Sequence, residues 1–321
     1  MSTPISKDIP ANNAPDAAQA STELNAFRKQ IDELDDKLID LLIERISIVQ
    51  RVGELKRNTA PGQCPIRAGR EADMVRRIMQ RFEGCAFPPA AAGAIWRLII
   101  GASTSVESQI KLSVYSAEGN NDFYWLGREY FGFFTPSTRQ PQVKRVIGDV
   151  MDGKASVGIL PMPRTSDNDY WWTSLMESGK DRPQIFAQIP FIHPDTLSKD
   201  MNMALAIACI TPEETGDDKS LIVMETDFNV SQNRLQTAFS TAKIDASWIQ
   251  IATLHPSSRH HLIEVKGFII NSEHKGMQSL LSALGSSVVL NINYLGAYAA
   301  PIMMSNVESK PTLHASGTAK K

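Results

Sequence analysis

The chain has 321 residues, enough for two or three domains, and its 42% hydrophobic content fits a folded globular protein. A formal charge of −2, with no basic stripe carrying interleaved aromatics, excludes bulk electrostatic binding to nucleic acid or to an anionic membrane. Cys64, Cys85 and Cys209 form no CxxC pair, so they supply neither a disulfide framework nor a metal-ligand spacing.

Residues 1–22 are rich in Ala, Pro, Asn, Asp and Ser without an apolar run. They read as a disordered lead, not as a signal peptide or membrane span, and predict a cytoplasmic protein. Apolar residues then recur at three- and four-residue spacing through Leu24, Phe27, Ile31, Leu34, Leu38, Leu41, Ile48, Val52 and Leu55. This predicts one long helix to about residue 57, capped by Ser21 or Thr22. Arg45 interrupts the apolar seam. No acid stands one turn to either side on the seam, so the guanidinium either meets an anionic ligand or fixes the register of a helical pair.

Lys56 lies within about 20° of Arg45 around the helix, whereas Arg28 is about 42 Å from Lys56 along it. One small ligand can meet all three cations only if the helix pairs antiparallel with its own copy. The arithmetic therefore predicts a homodimer with shared sites. The stretch 58–62 stops this helix, and further helices are predicted over about 70–82 and 89–108. Ser103 and Glu107 are four apart on one face of the third helix, a spacing that on its own more often describes two solvent-facing residues. Arg70 and Glu71, on their own, read as a solvated helix start.

Taken together, Leu24, Arg28, Ile31, Leu34-Asp35, Arg45, Val52-Gly53-Glu54-Leu55-Lys56, Pro65-Ile66, Arg70-Glu71, Ser103 and Glu107 resemble the pattern of the all-helical (AroQ-class) chorismate mutases. The resemblance implies a three-helix all-α domain over 23–111, an intertwined dimer and the rearrangement of chorismate to prephenate. That reaction is unimolecular and needs no cofactor or metal. Its demands are to hold a flexible dicarboxylate in a compact form and to stabilise charge on the breaking ether oxygen. The planar fork of arginine suits the first demand. By resemblance, Arg45 and Arg28 of the partner subunit hold the carboxylates, and Lys56 and Glu107 donate to the ether oxygen. Glu71 accepts from the substrate hydroxyl, Arg67 and Ser103 complete the contacts, and Arg70 orients from behind. A glutamate donates only when protonated, which predicts activity favoured at mildly acidic pH.

After Ser108 the pattern changes to α/β, with short apolar runs over 112–115, 157–160 and 205–210 and a helix over about 142–151. Ser116 to Asp122, Gly158 to Thr165 and Met203-Ala204-Leu205 resemble, in order, three motifs of the prephenate dehydratase domain. Met203 and Ala204 stand where that family has Thr and Arg, and neither can donate a hydrogen bond from its side chain. The stretch is also short enough for only one of the family's two lobes. The resemblance thus implies a degenerate, shortened lobe over 112–212 with dehydratase activity lost.

Segments over 221–225, 234–242, 247–254, 261–270, 277–284 and 288–294 follow the ferredoxin-like order of strand, helix, two strands, helix, strand. They resemble an ACT regulatory domain over 218–301. Val230-Ser231-Gln232 and Thr253-Leu254-His255-Pro256 depart from its phenylalanine-binding versions, so phenylalanine binding is not expected. His255, His260 and His261 match no common ligand set and read as a solvated turn. Residues 302–321 read as a disordered tail. The expected protein is a multidomain, dimeric chorismate mutase, with a non-catalytic regulatory partner of the aromatic amino-acid pathway as the alternative.

Overall fold

The computed structural model describes residues 17–59, 64–176, 182–193, 202–285 and 288–304. Three helices come first: α1 (Ala17–Thr59), α2 (Ala68–Arg81) and α3 (Pro89–Glu107). Helix α1 begins inside the stretch expected to be disordered, because Ala17, Ala18, Gln19 and Ala20 are strong helix formers that extend it beyond Ser21 and Thr22. At about 1.5 Å per residue its 43 residues reach roughly 65 Å. Only its C-terminal part lies against α3. The apolar stripe of the N-terminal part is open, with Leu34 and Leu38 each 57% exposed. No helix among the described residues is long and apolar enough to cross a membrane.

The rest of the chain forms β1 (Leu112–Tyr115), α4 (Asp122–Phe131), β2 (Ser137–Gln140), α5 (Val143–Met151), β3 (Val157–Pro161) and a 3-10 turn over Trp171–Leu175. Then come β4 (Gln184–Ile189), β5 (Ile192–His193), β6 (Ala204–Ala208), β7 (Asp218–Asp227), α6 (Gln232–Thr241), β8 (Ala246–His255), β9 (Ser258–Lys266), α7 (Lys275–Leu284), β10 (Val289–Ala299) and β11 (Ile302–Met303).

One nine-stranded sheet runs through this half in the order β2-β1-β3-β6-β4-β10-β7-β9-β8. Its last four strands are antiparallel neighbours in the order expected of the ferredoxin-like pattern. They join the α/β strands through the parallel pair β10 and β4, where Gly296 faces Ile185. The approach is so close that a Cβ at Gly296, whose φ is +143°, would lie 2.1 Å from the Ile185 carbonyl oxygen. Glycine is needed there for both space and backbone conformation.

Helices α2, α3 and α4 share a core with β1 and β4, built from Val75, Ile100, Leu112, Val114, Phe131 and Phe186. Helix α5 and the Trp171–Leu175 turn cover a second core that spans both parts of the sheet. There the buried indole N–H of Trp172 donates to Gln250 Oε1 at 2.6 Å. Helices α6 and α7 cover the opposite face of β7 and β9.

Because this part of the sheet is covered on both faces, His260 and His261 are buried in β9 and do not form a solvated turn; only His255 is exposed. Burial, with Arg259 and His260 nearby, holds the His261 pKa down to about 4. Its Nε2 lies 3.1 Å from Thr226 Oγ1. The segment expected to be disordered from 302 includes β11, which pairs with β5; residues 305–321 lie outside the described residues.

Candidate active site

Gly53 sets the geometry of the helical site. A Cβ there would lie 2.9 Å from the Glu107 carbonyl oxygen, so its absence lets α1 close on the end of α3. Arg57 Nη1 donates to that same carbonyl at 3.0 Å. The approach brings Lys56 into an ion pair with Glu107 and the Arg45 guanidinium onto the Ser103 hydroxyl. Ser103 is buried and donates in turn to the Ile99 carbonyl at 2.6 Å. Arg45 is half-buried, and its pKa is lowered by burial and by the positive charge of Arg70. Four of the predicted site residues are therefore paired, two by two, between α1 and α3, and the charge of Arg70 in the first turn of α2 acts on Arg45.

The other predicted residues are placed differently. Glu71 is buried, and Arg97 Nη2 donates to its Oε2 at 2.5 Å. The Arg67 backbone N–H contributes a longer bond to Glu71 Oε1, at 3.4 Å. The Arg67 side chain pairs with Glu213, in the segment between β6 and β7. Arg28 is exposed on α1, where its Nη1 donates to Asn25 Oδ1 of the same helix at 3.4 Å. Seventeen residues separate it from Arg45, about 26 Å of helix, so it cannot reach the group within one chain.

Sequence reasoning missed Arg97, although a lone cation inside Ile95-Trp96-Arg97-Leu98-Ile99-Ile100 was a signal. Its guanidinium carbon sits 4.2 Å above the Tyr130 ring, within cation–π range. Burial disfavours its charge, but Glu71 and Tyr130 more than restore it and raise the pKa.

In the rear half, Met203-Ala204-Leu205, expected at the place of the dehydratase triplet, is an apolar stretch. Ala204 is fully buried at the start of β6 opposite Pro161, and Met203 Sδ accepts from Gln188 Nε2 at 3.3 Å. Nearby, Asn202 links Asp122 (2.5 Å) to Arg164 (3.1 Å), tying together the loops that carry the other two motifs.

Residues 27–108 match the family model for chorismate mutase type II. The chain is 31% identical over 144 residues to the bifunctional chorismate mutase/prephenate dehydratase of Aquifex aeolicus, covering 44% of this chain and 40% of that protein. The enzyme of the same name from Pseudomonas aeruginosa is 28% identical over 148 residues, covering 45% and 40%. The matches thus span about two fifths of the length of these curated relatives. Among solved structures, prephenate dehydratase from Streptococcus mutans is similar with a TM-score of 0.43 and 15% identity, over 60% of this chain and 99% of that one.

Arg97→Met is expected to lower unfolding free energy by about 3–5 kcal/mol, because it leaves the Glu71 carboxylate buried without its partner. The double variant with Glu71→Met should recover most of that loss. Chemical denaturation of both variants checks the pair; equal losses in the two would contradict it.

Proposed function

We propose that this chain is a chorismate mutase, with Arg45, Lys56, Ser103 and Glu107 as the core of its site. The observation that carries the reading is the meeting of these four side chains across α1 and α3, at the ion pair and hydrogen bond that Gly53 permits. A unimolecular rearrangement needs donors fixed around a folded dianion and a developing negative charge, not a nucleophile. In this reading Arg45 exchanges the Ser103 hydroxyl for a substrate carboxylate. Lys56 donates to the breaking ether oxygen, and Glu107 donates to it when protonated. Arg70 adds positive potential behind Arg45. Glu71, held by Arg97 through Oε2, offers Oε1, which otherwise accepts only the long Arg67 N–H bond, to the substrate hydroxyl.

The site takes its last cation from a second copy. A single chain leaves Leu34 and Leu38 open on α1 and strands Arg28 far from Arg45, and an antiparallel pairing of two α1 helices answers both. Arg28 of the partner subunit then closes the pocket. The mutase unit is assigned to 23–111, the α/β lobe to 112–212 and an ACT-like unit to 218–301, in a cytoplasmic protein. Met203 and Ala204, the latter fully buried and neither with a side-chain donor, support loss of dehydration.

Three outcomes are expected. Purified protein converts chorismate without releasing phenylpyruvate from prephenate, and Arg45→Ala lowers kcat/KM about 10²- to 10³-fold. Native mass spectrometry gives twice the 35.4 kDa chain mass, and Leu38→Glu yields monomer with turnover lost. Glu107→Gln, which places an N–H donor at the same position, keeps turnover within about tenfold of wild type, whereas Glu107→Ala lowers kcat/KM about 10²-fold. Equal turnover in the Gln and Ala variants would remove Glu107 from its role as donor.

A further inference from the structure

The Arg67–Glu213 pair joins residues 146 positions apart and links the first turn of α2 to the segment entering β7. Glu213 is seated tightly on α2: a Cβ at Gly69 would lie 2.8 Å from the Glu213 Cβ. The far end of the segment is also fixed. Buried Asp218 accepts from the Thr215 N–H (2.8 Å), the Thr215 hydroxyl (2.7 Å) and the Gly216 N–H (3.0 Å). Arg76 of α2 donates to Thr215 Oγ1 at 2.9 Å and to the carbonyls of Asp217 and Ala300 at 2.7 and 3.1 Å. Glu213 is therefore presented by a braced turn at the start of β7.

The pair stands between two cavities. One, of about 480 Å³, is bordered by Lys56, Arg67, Arg182 and Glu213. The other, of about 640 Å³, is bordered by Arg67, Arg70, Arg77 and Glu213. Lys56 and Arg70 thus lie on either side of one ion pair, although a dianion at the proposed site calls on both. Glu71 and Glu107 are also paired with cations, but both belong to the three helices. Glu213 brings a carboxylate to this cation group from the rear half.

We infer that Glu213 sets the affinity of the helical site for dicarboxylates, as a latch on Arg67. In the closed state its carboxylate neutralises Arg67 and divides the two cavities. A bound dicarboxylate displaces it, and the segment 211–217 loosens from α2. The pair is partly exposed, with side chains 54% and 31% accessible, and such pairs are weak enough to exchange. A ligand carboxylate meeting an arginine fork bidentately is the stronger partner. The latch lets the position of β7 bias binding at the helices. Only the identity of the substrate rests on the mutase reading.

The full chain tests this with malonate, followed by calorimetry, and with chorismate, followed by kinetics. For Glu213→Gln, the malonate Kd and the chorismate KM are expected to fall about three- to fivefold. The kcat should change by less than about twofold. Glu214→Gln, which borders the second cavity without bonding Arg67, should stay near wild type. Malonate should raise hydrogen–deuterium exchange over 211–217 in the wild type, and exchange there should already be high in Glu213→Gln. Unchanged or weaker malonate binding by Glu213→Gln overturns the latch, as does exchange over 211–217 that malonate leaves unchanged. If malonate behaves as expected while chorismate is not consumed, the latch stands and the mutase reading falls. If chorismate is consumed and both constants ignore the substitution, the latch falls and the mutase reading stands.

Discussion

A buried guanidinium needs a counter-charge, and the Arg97–Glu71 pair meets that constraint where α2, α3 and α4 come together. Arg97 comes from α3, Glu71 from the first turn of α2, and the Tyr130 ring that lies under the guanidinium comes from α4. Three elements are thereby fixed relative to one another at one point. Two follow directly from the helical unit and one from the α/β half, so the pair is also where the two halves are keyed together. Replacing such a pair by apolar side chains need not cost stability, but breaking it from one side does. Its value to the fold is registration: Glu71 is pinned, and with it the first turn of α2 that presents Arg67 and Arg70.

From that fixed turn the electrostatics of the front unit follow. Arg45, Lys56, Arg67 and Arg70 gather within a small region, and mutual repulsion would oppose folding if they were left bare. The structure neutralises them piecemeal. Lys56 takes Glu107, Arg67 takes Glu213, and Arg45 takes only a neutral hydroxyl. Arg45 is also the one whose charge is disfavoured by burial and by a neighbouring cation. A bound anion would give Arg45 the counter-charge that Lys56 and Arg67 already have.

How much of this was legible in the sequence depended on the range of the interaction. The long α1 helix, the Val52-Gly53-Glu54-Leu55-Lys56 run and the Ser103-to-Glu107 spacing are local patterns that lie on α1 and α3, whereas the closing of α1 on α3 at Gly53 was not read. The α4 helix was not read because its aromatic run Phe123-Tyr124-Trp125 gives no clear helical stripe. The β2 strand is a polar edge, Ser137-Thr138-Arg139-Gln140, without alternation. The junction of β4 with β10 left no trace beyond a glycine, since one residue carries the pairing between segments more than a hundred positions apart. The Arg67–Glu213 and Arg76–Thr215 contacts are of the same kind. Single charged residues that meet across the fold have no period to detect.

The front unit has two sides that its own three helices cannot satisfy, and they are met by different means. Helices α2 and α3 bury their apolar faces against β1, α4 and β4 of the same chain. Helix α1 adds no residue to that core and keeps its stripe open over most of its length. In the proposed pairing a second copy and the rear half act on different faces of one unit. Helix α2 is rigid between its ends, with Arg67 and Arg70 at the first turn and Arg76 bound to the turn before β7 and to the end of β10. A shift of those strands must either break the Arg76 contacts or carry the first turn with it. Because Glu71 is locked to Arg97, the element free to respond is the Arg67 side chain. The ion pair it makes with the rear half is thus the mechanically soft link between two otherwise firmly joined parts.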